Sequence, residues 1–134
     1  MKILIETPKY SFIKYRYENS KFLKDLFSPF PNLFNYGFII ETKGYDDSPK
    51  DVIVLGKGLN QGIILDLKII GEVKFIDKGL SDIKYIASQN NKITTFDKLK
   101  IKIFFVTYSV YKVIYYLIAE RKIYMCKYLG IRIY

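Results

Sequence analysis

The stretch that most constrains this chain is Asp46-Asp47-Ser48-Pro49-Lys50-Asp51 followed by Val52-Ile53-Val54-Leu55. Three carboxylates fall within six residues of a turn stiffened by Pro49. The uninterrupted apolar run behind it reads as a strand buried on both faces. Two carboxylates ~4 Å apart repel by roughly 4 kcal/mol at an effective dielectric of 20. Something positive must offset that repulsion, and a hard divalent cation with oxygen ligands is one candidate. A solvated Asp/Pro turn between two strands is the other reading of the same residues.

A second stretch weighs on that choice. Gly71-Glu72-Val73-Lys74-Phe75-Ile76-Asp77 runs through Lys78-Gly79-Leu80-Ser81 into Asp82-Ile83-Lys84-Tyr85-Ile86. This is the pattern of two strands joined by a short glycine turn, which sets Asp77 and Asp82 facing each other across a hairpin mouth. Lys84, two residues past Asp82, projects from the same face. A carboxylate pair beside an ammonium suits a metal-bound phosphate.

With these residues the chain resembles a known family, the soluble family I inorganic pyrophosphatases of the bacterial type. That family carries Asp-Gly-Asp-Pro-x-Asp-Val-x-Val, and Asp46 to Val54 is a close copy with substitutions. Ile5-Glu6-x-Pro8, Lys14-Tyr15, Asn35-Tyr36-Gly37-Phe38-Ile39 and Asp77-x4-Asp82-x-Lys84 follow in the family's order. The likeness runs from about residue 3 to residue 88, and more loosely to about residue 112. It implies a mostly β fold: an OB-like five-stranded β-barrel core with flanking helical segments and a C-terminal helix, as one domain over residues 1–134. It implies hydrolysis of pyrophosphate to two phosphates by a magnesium-activated water.

The resemblance also implies roles. Asp46, Asp51 and Asp82 match ligands of a first, activating Mg2+, and Asp77 with Asp82 match ligands of a substrate-bound one. Lys14 and Lys84 match phosphate ligands, Tyr36 and Tyr108 match active-site tyrosines, and Glu6 matches a polar residue at the cavity rim. Four positions depart from the family pattern. Ser48 replaces a carboxylate that serves as the base, so Asp47 beside it is the stand-in. Arg16 replaces a metal-associated Glu, and Leu26 replaces a phosphate-binding Arg that Arg16 is positioned to substitute. Ser109 replaces a phosphate-binding Lys in the simple register, whereas a shift of three residues brings Tyr111-Lys112 into play. The departures leave a catalytically weak or dead paralogue as an alternative reading.

Composition sets outer bounds. The 134 residues carry 22 Lys+Arg against 13 Asp+Glu, a net charge of +9. The basic residues are scattered along the chain, so the charge alone does not outline a nucleic-acid surface. An OB-type basic nucleic-acid-binding module is the competing class, but four aspartates in one groove would repel its ligand. One cysteine, Cys126, and no histidine exclude an internal disulfide and a zinc site. A reducing cytoplasm is the expected setting, with no signal peptide at the N-terminus. Ile103 to Ala119 is apolar over a near-spanning length, yet Lys112 sits near its middle, so no membrane span is expected. The β-branched, aromatic run Ile101 to Ile118 favours strand by propensity. The resemblance predicts a helix instead, capped by Thr94 or Thr95. A homo-oligomer, on the family pattern a hexamer, is the expected assembly.

Overall fold

The computed structural model describes residues 1–28, 30–40 and 49–134. The acidic turn residues Asp46, Asp47 and Ser48 therefore lie outside the described residues.

Among the described residues nine strands and one helix follow in chain order: β1 Lys2–Thr7, β2 Ile13–Glu18, β3 Lys21–Phe27, β4 Asn35–Ile39, β5 Asp51–Leu55, β6 Ile64–Asp66, β7 Ile69–Asp77, β8 Leu80–Ser88, α1 Thr95–Ala119 and β9 Lys127–Ile133. Seven strands form one sheet in the order β6-β1-β4-β5-β8-β7-β9, and β2 and β3 make a separate hairpin. The five inner strands, β1, β4, β5, β8 and β7, correspond to the expected OB-like core. The described strands leave it an open sheet with β6 and β9 at its edges rather than a closed barrel. The mostly β class with a C-terminal helix is borne out.

β5 explains its own sequence. Ile53 and Leu55 join the cluster under α1, with Phe75, Ile86, Ile101 and Phe105. Val52 and Val54 join a second cluster on the opposite face, with Ile3, Ile5, Ile39 and Ala87. A strand covered on both sides needs no polar alternation. It pairs antiparallel with β4 and parallel with β8, so it sits mid-sheet with Asp51 at its start.

The β7–β8 turn is two residues long, with Lys78 and Gly79 both at positive φ (54° and 76°). That geometry follows the twist of the flanking strands. It puts Asp77 opposite Leu80 and Asp82 opposite Phe75. The two aspartates are thus diagonal neighbours rather than directly opposed. A two-residue loop fixes the register, and it does so two residues away from a direct Asp77–Asp82 pair.

Helix α1 begins with a reciprocal cap: Thr94 Oγ1 accepts from Asp97 N–H at 3.0 Å, and Asp97 Oδ2 accepts from Thr94 N–H at 2.9 Å. Ile101, Phe105, Ser109 and Tyr116 form its buried face. The cap and this helical spacing override the strand propensity of the run. The helix is long and apolar enough to cross a membrane by length and composition alone. Here its inner face packs on the sheet, with Phe105 1% exposed against Phe75.

Candidate active site

Lys84 is the hub. It lies on β8, a strand held between β5 and β7. Its ammonium reaches Asp51 Oδ2 at 2.7 Å and Asp82 Oδ2 at 2.9 Å, with the lysine side chain 7% exposed. Asp51 comes from the start of β5 and Asp82 from two residues earlier on β8. Parallel pairing of Val52 with Tyr85 brings the two aspartates to one end of the sheet. Burial pushes the Asp51 carboxyl up, but Lys84 beside it reverses this and leaves it below the usual range. Burial likewise pushes Lys84 down, and Tyr36 and the two carboxylates lift it well above an ordinary lysine.

Three ammonium groups share two tyrosine rings. The Tyr36 ring lies 5.6 Å from Lys84 Nζ and 5.0 Å from Lys14 Nζ. The Tyr108 ring lies 5.8 Å from Lys14 Nζ and 5.6 Å from Lys112 Nζ. Each ring face attracts cation charge and spaces two lysines that would otherwise repel. Lys84 has two carboxylates, and Lys112 has Asp77 Oδ2 at 3.6 Å. Lys14 has the ring faces only: among the described residues no oxygen accepts from its ammonium. Tyr36 Oη is also buried; it makes no close hydrogen bond but interacts with the Asp51 carboxylate and helps to hold that group below the usual range. A buried ammonium without an oxygen acceptor is a group that an anion would satisfy.

Tyr36 is held in place from its own strand. Asn35 is fully buried and accepts N–H bonds from Lys9 at 3.1 Å and Leu59 at 2.8 Å. Its amide donates to Lys57 O at 2.9 Å, tying two loops to the base of β4. A Cβ on Gly37 would meet Leu4 O at 2.0 Å, so only glycine lets β1 and β4 approach here. The Asn-Tyr-Gly sequence thus aims the tyrosine.

Asp77 stands apart from Lys84. Its Oδ1 accepts from Tyr116 Oη at 3.0 Å and lies 3.7 Å from Cys126 Sγ, while Lys112 approaches Oδ2. Sequence reading did not anticipate this cluster, although Tyr108, Lys112 and Tyr116 recur at four-residue intervals on one helix face. In the simple register Ser109 fills the lysine position. Here it is buried and its hydroxyl donates to Phe105 O at 2.6 Å, so Lys112 is the lysine that faces the site. Tyr111 points elsewhere, donating to Phe27 O at 2.7 Å.

Arg16 does not enter the space beside Leu26. Its Nε lies 3.5 Å from Glu18 Oε2, with the side chain 56% exposed. The expectation that Arg16 restores the missing arginine is therefore corrected: its near neighbour on the exposed end of β2 holds it outward. Glu6 is buried and accepts from Tyr17 N–H at 2.7 Å. Burial raises its carboxyl from 4.5 to about 7, and the Tyr17 bond offsets only part of that.

No three carboxylates converge among the described residues. Asp51 and Asp82, joined through one cation, form a hard-oxygen pair that fits Mg2+, an ion that keeps several waters and needs few protein ligands. Asp46 and Asp47, the other expected ligand and the expected base, lie outside the described residues.

The fold and the cleft define a class: a mostly β protein that gathers acidic and basic groups at one end of its sheet. The family profile described as inorganic pyrophosphatase matches residues 3–113, and the chain belongs to that family. The inorganic pyrophosphatase of Nanoarchaeum equitans is 36% identical over 121 residues, covering 78% of this chain and 76% of the relative. That of Saccharolobus solfataricus is 36% identical over 97 residues, 69% of this chain and 56% of the relative. The chain thus spans little more than half the length of some curated relatives. Among solved structures, the Helicobacter pylori inorganic pyrophosphatase superposes with a TM-score of 0.83 at 24% identity, covering 99% of this chain and 84% of the other. The Neisseria gonorrhoeae inorganic pyrophosphatase gives 0.80 at 26% identity, covering 99% and 82%.

Proposed function

We propose that this chain hydrolyses inorganic pyrophosphate to two phosphates with magnesium. The observation that carries the reading is Lys14, whose ammonium lies between two tyrosine rings with no acceptor of its own, beside the Lys84–Asp51–Asp82 group. Lys14 receives a phosphoryl oxygen, and the Tyr36 ring face holds the ammonium in place. Lys112, reaching from the helix, adds positive charge at the far end. Asp51 and Asp82 are the residues that hold magnesium, with Asp77 toward the helix side. Bound magnesium supplies a water of lowered pKa and neutralises phosphoryl charge. The chain's own residues then chiefly position and neutralise.

Turnover is expected to be slow. Ser48 stands where a carboxylate base is expected, and a missing base costs about 10²–10⁴-fold. Leu26 offers no charge. The test is phosphate release from magnesium pyrophosphate by the purified full chain, beside Asp51→Asn and Lys14→Met. We expect both variants to lose at least about tenfold, and rates equal to wild type would overturn the assignment. The same reading includes self-association through the outer face of α1 and a reducing, cytoplasmic setting that suits the free, buried Cys126.

A further inference from the structure

Beside Lys14 the molecule has a cleft that encloses about 40 Å3 and opens to solvent. Lys14 and Lys84 line one side of it. The remaining wall is almost wholly carbon, from Ile13, Leu26, Phe104 and Phe105. Leu26 is the cross-strand partner of Lys14 in the β2–β3 ladder, and both line the cleft. Tyr36 and Tyr108 also line the cleft, and its serine and threonine hydroxyls are committed elsewhere. Ser11 Oγ donates to Ile13 O at 2.7 Å, Ser28 Oγ donates to Phe30 O at 2.8 Å, and Thr7 Oγ1 accepts from Tyr15 N–H at 2.9 Å.

Inorganic pyrophosphate presents charged oxygen on every side. A phosphoryl group seated on Lys14 therefore leaves the carbon wall facing either water or a second, uncharged group. Covering such an open carbon wall with an apolar ring is favourable. We propose that this cleft is a subsite for a compact apolar group carried on a phosphate or phosphonate, so that the site accepts organic phosphates of ring size as well as pyrophosphate. The inference rests on Lys14 being the phosphoryl-binding residue.

Calorimetric titration of the full chain at fixed magnesium with phenylphosphonate, methylphosphonate and pyrophosphate tests it. Phenylphosphonate is expected to bind about tenfold more tightly than methylphosphonate. Leu26→Arg is expected to erase that preference, while Leu26→Met, close in volume, keeps it. Contacts between the phenyl protons and the Leu26 and Ile13 methyls, seen by nuclear Overhauser effects on the wild-type protein, locate the ring without any substitution. Equal affinity for the two phosphonates overturns the subsite, as does an absence of those contacts or a preference that survives Leu26→Arg. If pyrophosphate is bound and hydrolysed while the phosphonates are not distinguished, only the subsite fails. If none of the three binds, the reading of Lys14 fails with it.

Discussion

Glu6 ends 8% exposed, with one backbone N–H as its hydrogen-bond partner. Its carboxyl titrates at about 7 in the folded chain against 4.5 ordinarily. Between those two values the unfolded chain gives up this proton first, so the folded state binds more protons there. Stability from this group is complete below 4.5 and falls as pH rises toward 7. Glu6→Gln keeps an oxygen for Tyr17 N–H and removes the titration. The wild type is therefore expected to lose about 2–3 kcal/mol relative to Glu6→Gln across that window, read from urea unfolding. A pH-independent difference would show that the burial cost is not expressed. Lys84 behaves oppositely, since its surroundings favour its charged form. Lys84→Met leaves Asp51 and Asp82 without their shared cation, and magnesium is then expected to raise the melting temperature of the variant more than that of the wild type. An equal shift would mean that this pair is not where magnesium binds.

At the level of elements, α1 decides which helix residues reach the cleft. Its buried face runs through Ile101, Phe105, Ser109 and Tyr116, with Tyr108 and Lys112 on the flank beside the sheet. Ser109→Lys would restore the lysine of the simple family register but would bury an ammonium where Ser109 is only 7% exposed. It is expected to cost about 2–4 kcal/mol of stability without raising activity. A gain in pyrophosphate turnover would show that the register is read wrongly here. The strands were easier to anticipate than this helix face. The β7–β8 hairpin follows from Gly79 between two alternating runs, while the choice of Thr94 over Thr95 as the cap is settled by its reciprocal bonds with Asp97. The diagonal offset of Asp77 and Asp82 was not legible, because it depends on where the two-residue turn falls within the ladder.

Across the whole molecule, the outer face of α1 is apolar from end to end. Phe96, Leu99, Ile103, Val106, Val110 and Ile114 are 45–65% exposed along one line of the helix. A stripe of this length offers each partner several hundred Å2, on the order of the ~800 Å2 that a stable protein interface buries per side. The occupant that fits the reading above is a second copy of the chain. Light scattering is expected to give a mass well above the 15.8 kDa monomer, and Ile103→Glu with Val110→Glu to reduce it to that value. A monomeric wild type would remove self-association from the reading. The aromatic content that makes this face sticky also builds the cleft, since Tyr36 and Tyr108 space its lysines and Phe104 and Phe105 wall it.

The helix itself came with the family resemblance, whereas local rules were enough to place most strands, the existence of a glycine-turn hairpin, a capping threonine at 94 or 95 and the set of acidic and basic residues worth attention. These depend on neighbours in the chain: alternation, turn chemistry and a side chain within three residues of its backbone partner. Tertiary structure alone decided that Lys84 would bridge Asp51 and Asp82, that Lys14 would be left between two rings without an acceptor, and that Asp77 would turn to Lys112 and Tyr116. Those contacts join segments up to 94 residues apart, from Lys14 to Tyr108. They depend on strand order, ladder register and the rotation of one helix, which no local pattern contains.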